Sequence, residues 1–196
     1  MFKRNYSEYD LILTIADLQL SIMLFLKNIF SIVLMMALVA PIELEKKSIL
    51  DNKVELLMPK GWKPMSQDLI KIKYPGVRPP KLVYSDVSGS ISIAFNHTDS
   101  KASPELLEKY KEYLKKSLTT AYPDAVWEED GIKEINGKKS GVFRLTTDAL
   151  DDKIYNYMVF TDMDEKLLIC SFNCVKKKLN TWKPVADEIM NSITIK

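Results

Sequence analysis

The sequence predicts an α+β fold, a mostly antiparallel sheet flanked by two helices in a sandwich of layers, preceded by a hydrophobic leader helix. Three observations predict it. Residues 126–174 read as successive strands separated by short turns, residues 103–120 repeat apolar side chains at helical spacing, and a second helical pattern closes the chain near 180–193. At 196 residues and 46% hydrophobic content, the chain suffices for one ordinary core behind a leader.

Residues 29–40 (IFSIVLMMALVA) form an uncharged apolar run of 12, short for a bilayer span and the right length for the core of a signal peptide. Lys27 stands just before it. Counted from Met1, the preceding segment is long and electrically balanced, with Lys3, Arg4 and Lys27 against Glu8, Asp10 and Asp17. Counted from Met23 it is short and basic, which points to a start at Met23; an amphipathic helix through Leu11, Ile15 and Leu18 is the alternative. Cleavage is expected after Ala40, although Leu38 is bulky for the −3 place and Pro41 follows directly. The other reading is an uncleaved helix tethering the domain to a membrane. No Cys follows the run, so there is no lipid-attachment site of the bacterial lipoprotein kind. The expected organisation is an extension and signal peptide over 1–40, a polar linker over 41–51, and one domain over 52–196.

Within the domain, residues 54–58 form a strand closed by Pro59-Lys60-Gly61, with Trp62 packing after it. Residues 70–74 (IKIKY) alternate with period two and read as another strand, one face buried and one wet. Pro75-Gly76 and Pro79-Pro80 bracket a loop. Strands follow at 81–85 and 90–96, the second with Ile91, Ile93 and Phe95 inward and Ser92, Ala94 and Asn96 outward. Ser103-Pro104-Glu105 starts a helix, the Ser capping free amides, Pro tolerating the first turn and Glu suiting the dipole. Leu106, Leu107, Tyr110, Tyr113, Leu114 and Leu118 make its apolar face. After Tyr122-Pro123-Asp124, strands are expected at 126–129, 131–135, 139–147, 154–162 and 166–174. Asn136-Gly137 favours a type I′ hairpin, because both central residues take positive φ. The last helix places Trp182, Val185, Ile189 and Ile193 on one face.

This order of pieces resembles the PsbP/Mog1-like superfamily, including the DcrB-like and PsbP-like proteins of bacterial envelopes. The resemblance is carried by the strand running into MPKGW (Met58 to Trp62), the ISIAFN strand, the INGKKSG hairpin (Ile135 to Gly141), the IYNYMVF strand and the closing W-x-P-x-x-x-x-I-x-x-S-I helix (Trp182 to Ile193). It implies an α/β/α sandwich and a binding role, since members dock to photosystem subunits, a small GTPase or envelope components and share no catalytic motif.

Lys and Arg total 28 against 26 Asp and Glu, a net charge of +2, and the lysine clusters alternate with acidic runs. This excludes the basic stripe of a nucleic-acid binder. His97 is the sole histidine, which excludes two-His metal sites within one chain. With Asp99 it lies at a strand end, and Ser88, Ser90 and Ser92 near it form no nucleophile elbow. Cys170 and Cys174 share one strand face; four residues apart in an extended strand is roughly 13 Å, past the Cα separation of about 7 Å that a disulfide spans. Both therefore read as small buried hydrophobes, with a bulge or an intermolecular bond as the alternative. A calcium loop counted from Asp162 would lack glycine at its sixth place and have Asn173 where the twelfth needs glutamate, so residues 162–165 read as a hairpin turn, and Asp148, Asp151 and Asp152 make a second acidic loop.

Tyr155 and Tyr157, with Arg144 and His97, are the candidate recognition surface; the alternative is that the tyrosines pack beneath a helix. No catalytic, cofactor or metal-binding set is expected. The function expected is an exported, non-catalytic accessory protein, periplasmic or extracellular, that recognises a protein partner in the cell envelope and meets a membrane only through an uncleaved leader. The alternatives are a small-ligand binder or hydrolase using the acidic-loop carboxylates, and an immunity or inhibitor protein.

Overall fold

In the computed structural model, residues 21–25, 27, 41–76, 79–149 and 152–196 are described, and the chain divides into two units, Met1–Pro41 and Ile42–Lys196. In the first, residues 21–25 and 27 are helical. The apolar run and the cleavage site before Pro41 lie outside the described residues. Among the described residues no helix is long and apolar enough to cross a membrane.

The second unit opens with a hairpin of β1 (Leu44–Ile49) and β2 (Val54–Pro59), paired in register from Leu44 opposite Pro59 to Ile49 opposite Val54. Residues 44–49 are therefore a strand, not the linker that their charge suggested. β1 lies at a sheet edge, where the charged run Glu45-Lys46-Lys47 is tolerated, and only Ile49 is buried. Two short elements follow, β3 (Lys63–Pro64) and α1 (Gln67–Lys73). The expected strand at 70–74 is thus a helix: Ser66 caps it by accepting from the Leu69 amide at 3.3 Å, and Asp68 and the pair Lys71 and Lys73 sit at the ends that suit the dipole.

β4 (Leu82–Ser85) and β5 (Ile91–Lys101) lead to α2 (Leu107–Ala121). Ser103 does not cap α2; its hydroxyl donates to Glu105 at 2.6 Å, and residues 104–106 form a turn before the helix. The antiparallel meander comprises β6 (Val126–Ile135), β7 (Lys138–Asp148), β8 (Lys153–Met163) and β9 (Lys166–Val175). β6 is one strand where two were expected, with a bulge between Trp127 and Glu129. Asn136 and Gly137 take φ of 48° and 78°, and Asp164 and Glu165 repeat that turn with 52° and 57°. A 3-10 turn (Lys176–Lys178), α3 (Leu179–Asn191) and β10 (Thr194–Ile195) complete the chain.

The main sheet has seven strands in the order β3-β4-β5-β9-β8-β7-β6, and a three-stranded sheet, β1-β2-β10, lies apart from it. Alternation in the meander divides the core between two faces. On one, Ile93, Phe95, Tyr155, Tyr157, Val159, Cys170 and Phe172 meet α3 and β2; on the other, Phe143, Leu145, Phe160 and Leu167 meet α2. Burying each such aliphatic or Phe side chain is worth about 1.5–3 kcal/mol. The sequence pattern placed Ser92 and Ala94 outward, yet both are buried, because α1 seals that end of the sheet with Ile70 against Val83 and Ala94. The fold is the mostly antiparallel α+β sandwich that the pattern predicted, with α1 added as a third helix in the domain.

Gly141 faces Phe160 across β7 and β8, and the ring covers it so closely that an added Cβ would fall 1.9 Å from Cζ. Gly141→Ala is expected to destabilise the domain by about 1–3 kcal/mol through overpacking, read from urea denaturation midpoints. In the small sheet, Glu55 is paired with Lys46 at 2.9 Å and Lys196 at 2.8 Å. Hydrogen bonds from Lys196 and then Lys46 hold its carboxyl down at about 2, against an ordinary 4.5. Because the folded value is the lower one, the stabilisation is complete above the unfolded value and is lost as pH falls from about 4.5 towards about 2. Glu55→Gln should flatten the acid limb of a melting-temperature profile in that window.

Candidate functional site

Helix α3 is the element around which the polar groups gather. Trp182 stacks between Trp62, with ring centroids 5.6 Å apart, and Phe172, at 6.3 Å. At the other end, Asn136 on the β6–β7 turn donates to the Asn191 and Ile193 carbonyls at 3.0 and 2.9 Å, supplying donors to free carbonyls at the helix C-terminus. The Ser192 hydroxyl donates to the Ile189 carbonyl and accepts the Leu57 amide at 2.8 Å, tying that end to β2.

Beneath α3 the structure brings together three of the four residues of the expected recognition surface. Tyr155 and Tyr157 are fully buried, so the surface they were expected to form does not exist: their rings pack under the helix. Arg144, with a side chain only 17% exposed, lies over the Tyr157 ring at 4.1 Å and pairs with Glu129 and Asp187, each at 2.7 Å. The bulge in β6 explains this grouping. With Glu128 unpaired in the ladder, consecutive Glu128 and Glu129 both turn to the helix side, where Glu128 meets Lys183 at 2.5 Å. Burial pushes the Tyr155 phenol up to about 12, and its hydroxyl finds no hydrogen-bond partner among the described residues. The cluster is thus a clamp joining β6, β7 and α3. His97 is elsewhere. It pairs opposite Leu168, four residues along β9 from the row of Tyr157, about 13 Å away, and its Nε2 donates to the Met163 carbonyl at 3.0 Å.

The surface feature that sequence reasoning missed is a cleft of about 810 Å³ at the β3 edge. One wall is α1, contributing Leu69, Ile72 and Lys73; the other is the β4–β5 turn from Asp86 to Gly89; the end is closed by the stretch from Lys60 to Ser66. Leu69 is 54% exposed, Ile72 76% and Val87 fully so, three aliphatic side chains facing water around one concavity. Asp86 holds the turn: it accepts from the Ser88 hydroxyl at 2.6 Å, the Ser90 hydroxyl at 3.2 Å and the Ile91 amide at 3.1 Å, and meets Lys178 at 3.3 Å. Burial raises its pKa, but these bonds outweigh that and hold the carboxyl below its ordinary value. Lys73 runs back under the helix and donates to the Gly89 carbonyl at 2.5 Å and to Ser92 at 3.0 Å, and burial lowers its pKa. Ser92, which also contacts the Tyr74 hydroxyl at 3.1 Å, is fully buried. This Lys-Ser-Tyr group therefore fastens α1 to the sheet and offers no accessible nucleophile. The signal that could have revealed the cleft was the cap at Ser66, which makes Ile72 an exposed residue of a short helix.

No protein-family model and no curated protein matches this sequence. Solved structures do. The solution structure of cyanobacterial PsbP (CyanoP) from Synechocystis sp. PCC 6803 superposes with a TM-score of 0.58 over 81% of this chain and 95% of that one, at 15% identity. The domain has the PsbP-like fold. A Bacteroides thetaiotaomicron VPI-5482 protein follows with a TM-score of 0.50 and 10% identity, covering 78% of this chain and 48% of that one. LpqN, involved in cell envelope biogenesis of Mycobacterium tuberculosis, gives 0.46 and 13% identity over 78% of this chain and 90% of that one.

Among the described residues no group of three or more His, Cys, Asp or Glu is placed to hold a metal ion. The acidic turns of this PsbP-like domain are held by lysines: Asp148 pairs with Lys153 at 2.7 Å, Asp164 with Lys53 at 2.6 Å and Asp162 with Lys138 at 2.8 Å. Cys170 and Cys174 are free and buried on the α3 face, with burial pushing the thiols up to about 12 and about 11. A thiol reagent such as Ellman's is expected to find no reactive cysteine in the native protein at pH 8 and two in 6 M guanidinium without reductant; none in denaturant would mean an oxidised pair, and one a bond between chains.

Proposed function

We propose that this chain is an exported, non-catalytic accessory protein that recognises a protein partner in the cell envelope through the cleft at the β3 edge. The carrying observation is the set of Leu69, Ile72 and Val87, exposed together around one concavity, whereas the other exposed large apolar side chains of the domain, Tyr113, Tyr122 and Val126, lie outside that cleft. An isolated domain leaves such a patch in water only at a cost in solvation, which a docking partner would recover. Export is supported by the apolar run at 29–40 behind Lys27. The polar clusters elsewhere are internal clamps: Arg144 is taken up by two carboxylates, and Ser92 is sealed beneath α1. Partner recognition thereby moves from the tyrosines of β8 to the loop ends beside α1.

The test is a photo-crosslinking amino acid introduced in the native host at Ile72 or Val87, and at Glu112 on the exposed face of α2 as a control. An adduct of one defined mass at the two cleft positions and none at Glu112, recovered in the envelope fraction, is the expected result. Equal adducts at all three positions, or none at the cleft, would overturn the reading, and recovery of the full-length chain in the cytoplasm would overturn export.

A further inference from the structure

We infer that the cleft takes an extended peptide segment of the partner carrying carboxylates beside one or two apolar side chains, an inference that rests on the docking role proposed above. The apolar half of this assignment follows from Leu69 and Ile72 on one wall and Val87 on the other. The acidic half follows from the charges that are left over. Four charged residues line the cleft: Lys60, Lys63, Lys73 and Asp86. Lys60 is already paired with Glu43 at 3.0 Å, and Asp86 with Lys178. Among the described residues Lys63 forms no ion pair, and Lys73, held by Gly89 and Ser92, adds positive charge at the floor, so three lysines and one aspartate leave the lining positive beside an apolar surface. A carboxylate entering beside Lys63 would gain charge complementarity with this positive lining.

The shape selects a peptide over an anionic lipid surface. A planar headgroup layer would meet the exposed Val87 and Ile72 first, on opposite walls, and only a chain thin enough to lie between α1 and the β4–β5 turn would enter the cleft. A volume of about 810 Å³ is of the size that buries a few side chains and not a folded domain.

A phage-displayed library of random 12-residue peptides, panned on the full-length chain, provides the probe. The enriched peptides are expected to place Asp or Glu next to Leu, Ile, Phe or Trp. Their synthetic counterparts should bind with fluorescence anisotropy that weakens at least tenfold with Lys63→Glu and with Ile72→Asp, and is unchanged by Glu112→Lys on α2. Lys63 and Ile72 are both exposed, and circular dichroism of each variant checks that the fold is intact. No enrichment, enrichment without acidic residues, or binding that ignores Lys63→Glu would overturn the assignment. So would binding to vesicles of phosphatidylcholine and phosphatidylglycerol at 7:3 in the absence of peptide binding. If the peptide arm fails while the crosslinked adduct at Val87 persists, the acidic-peptide chemistry is wrong and the docking role stands; if both fail, the docking role falls as well.

Discussion

The seating of α3 on the main sheet is the constraint from which the rest of the domain follows. Trp182, wedged between Trp62 and Phe172, fixes one end of the helix, and the side chains of Asn136 and Ser192 fix the other. Through Trp62 this stack also sets where β2 leaves the small sheet and turns towards β3 and α1. Through Arg144 it sets the edge strand β6, whose bulge exists to send two successive glutamates to the helix. The long tyrosines of β8 fill the space underneath, which is why they are core residues and not a binding face.

Much of the fold was legible because its strands alternate and its turns carry their own chemistry. Asn136-Gly137 demanded a tight hairpin, and the alternation from β7 to β9 fixed which side chains share a face. The errors came from short segments in which two signals compete. Ile70 and Ile72 alternate over five residues, but the capping serine and the end charges outweigh so brief a pattern, and only Ile70 reaches the core. β1 escaped notice because an edge strand tolerates a charged middle such as Glu45-Lys46-Lys47: its place is set by the hydrogen bonds of β2, which the composition of Leu44–Ile49 does not report.

The candidate site was less legible than the fold, and for a physical reason. Sequence reasoning looks for chemistry-bearing side chains, and in this domain nearly all of them are spent on internal pairing, as Arg144, Asp86 and Ser92 illustrate. The cleft is made of ordinary aliphatic residues whose distinction is that nothing covers them. That property belongs to the assembled walls, α1 and the β4–β5 turn, and appears only once both are placed.

The sheet order has a consequence for a chain made from its N-terminus. β5 sits between β4 and β9, and its pairing with β9 joins residues about 70 apart, as His97 with Leu168. The meander from β6 to β9 assembles from neighbours, but β5 must wait until that whole meander has been synthesised, with Ile91, Ile93 and Phe95 uncovered in the meantime. Newly made chains therefore pass through a stage in which an apolar strand has one free edge, and it ends only when the last quarter of the sequence arrives. Holding that intermediate apart from its neighbours is a task for the cell's folding machinery, separate from anything the finished domain does.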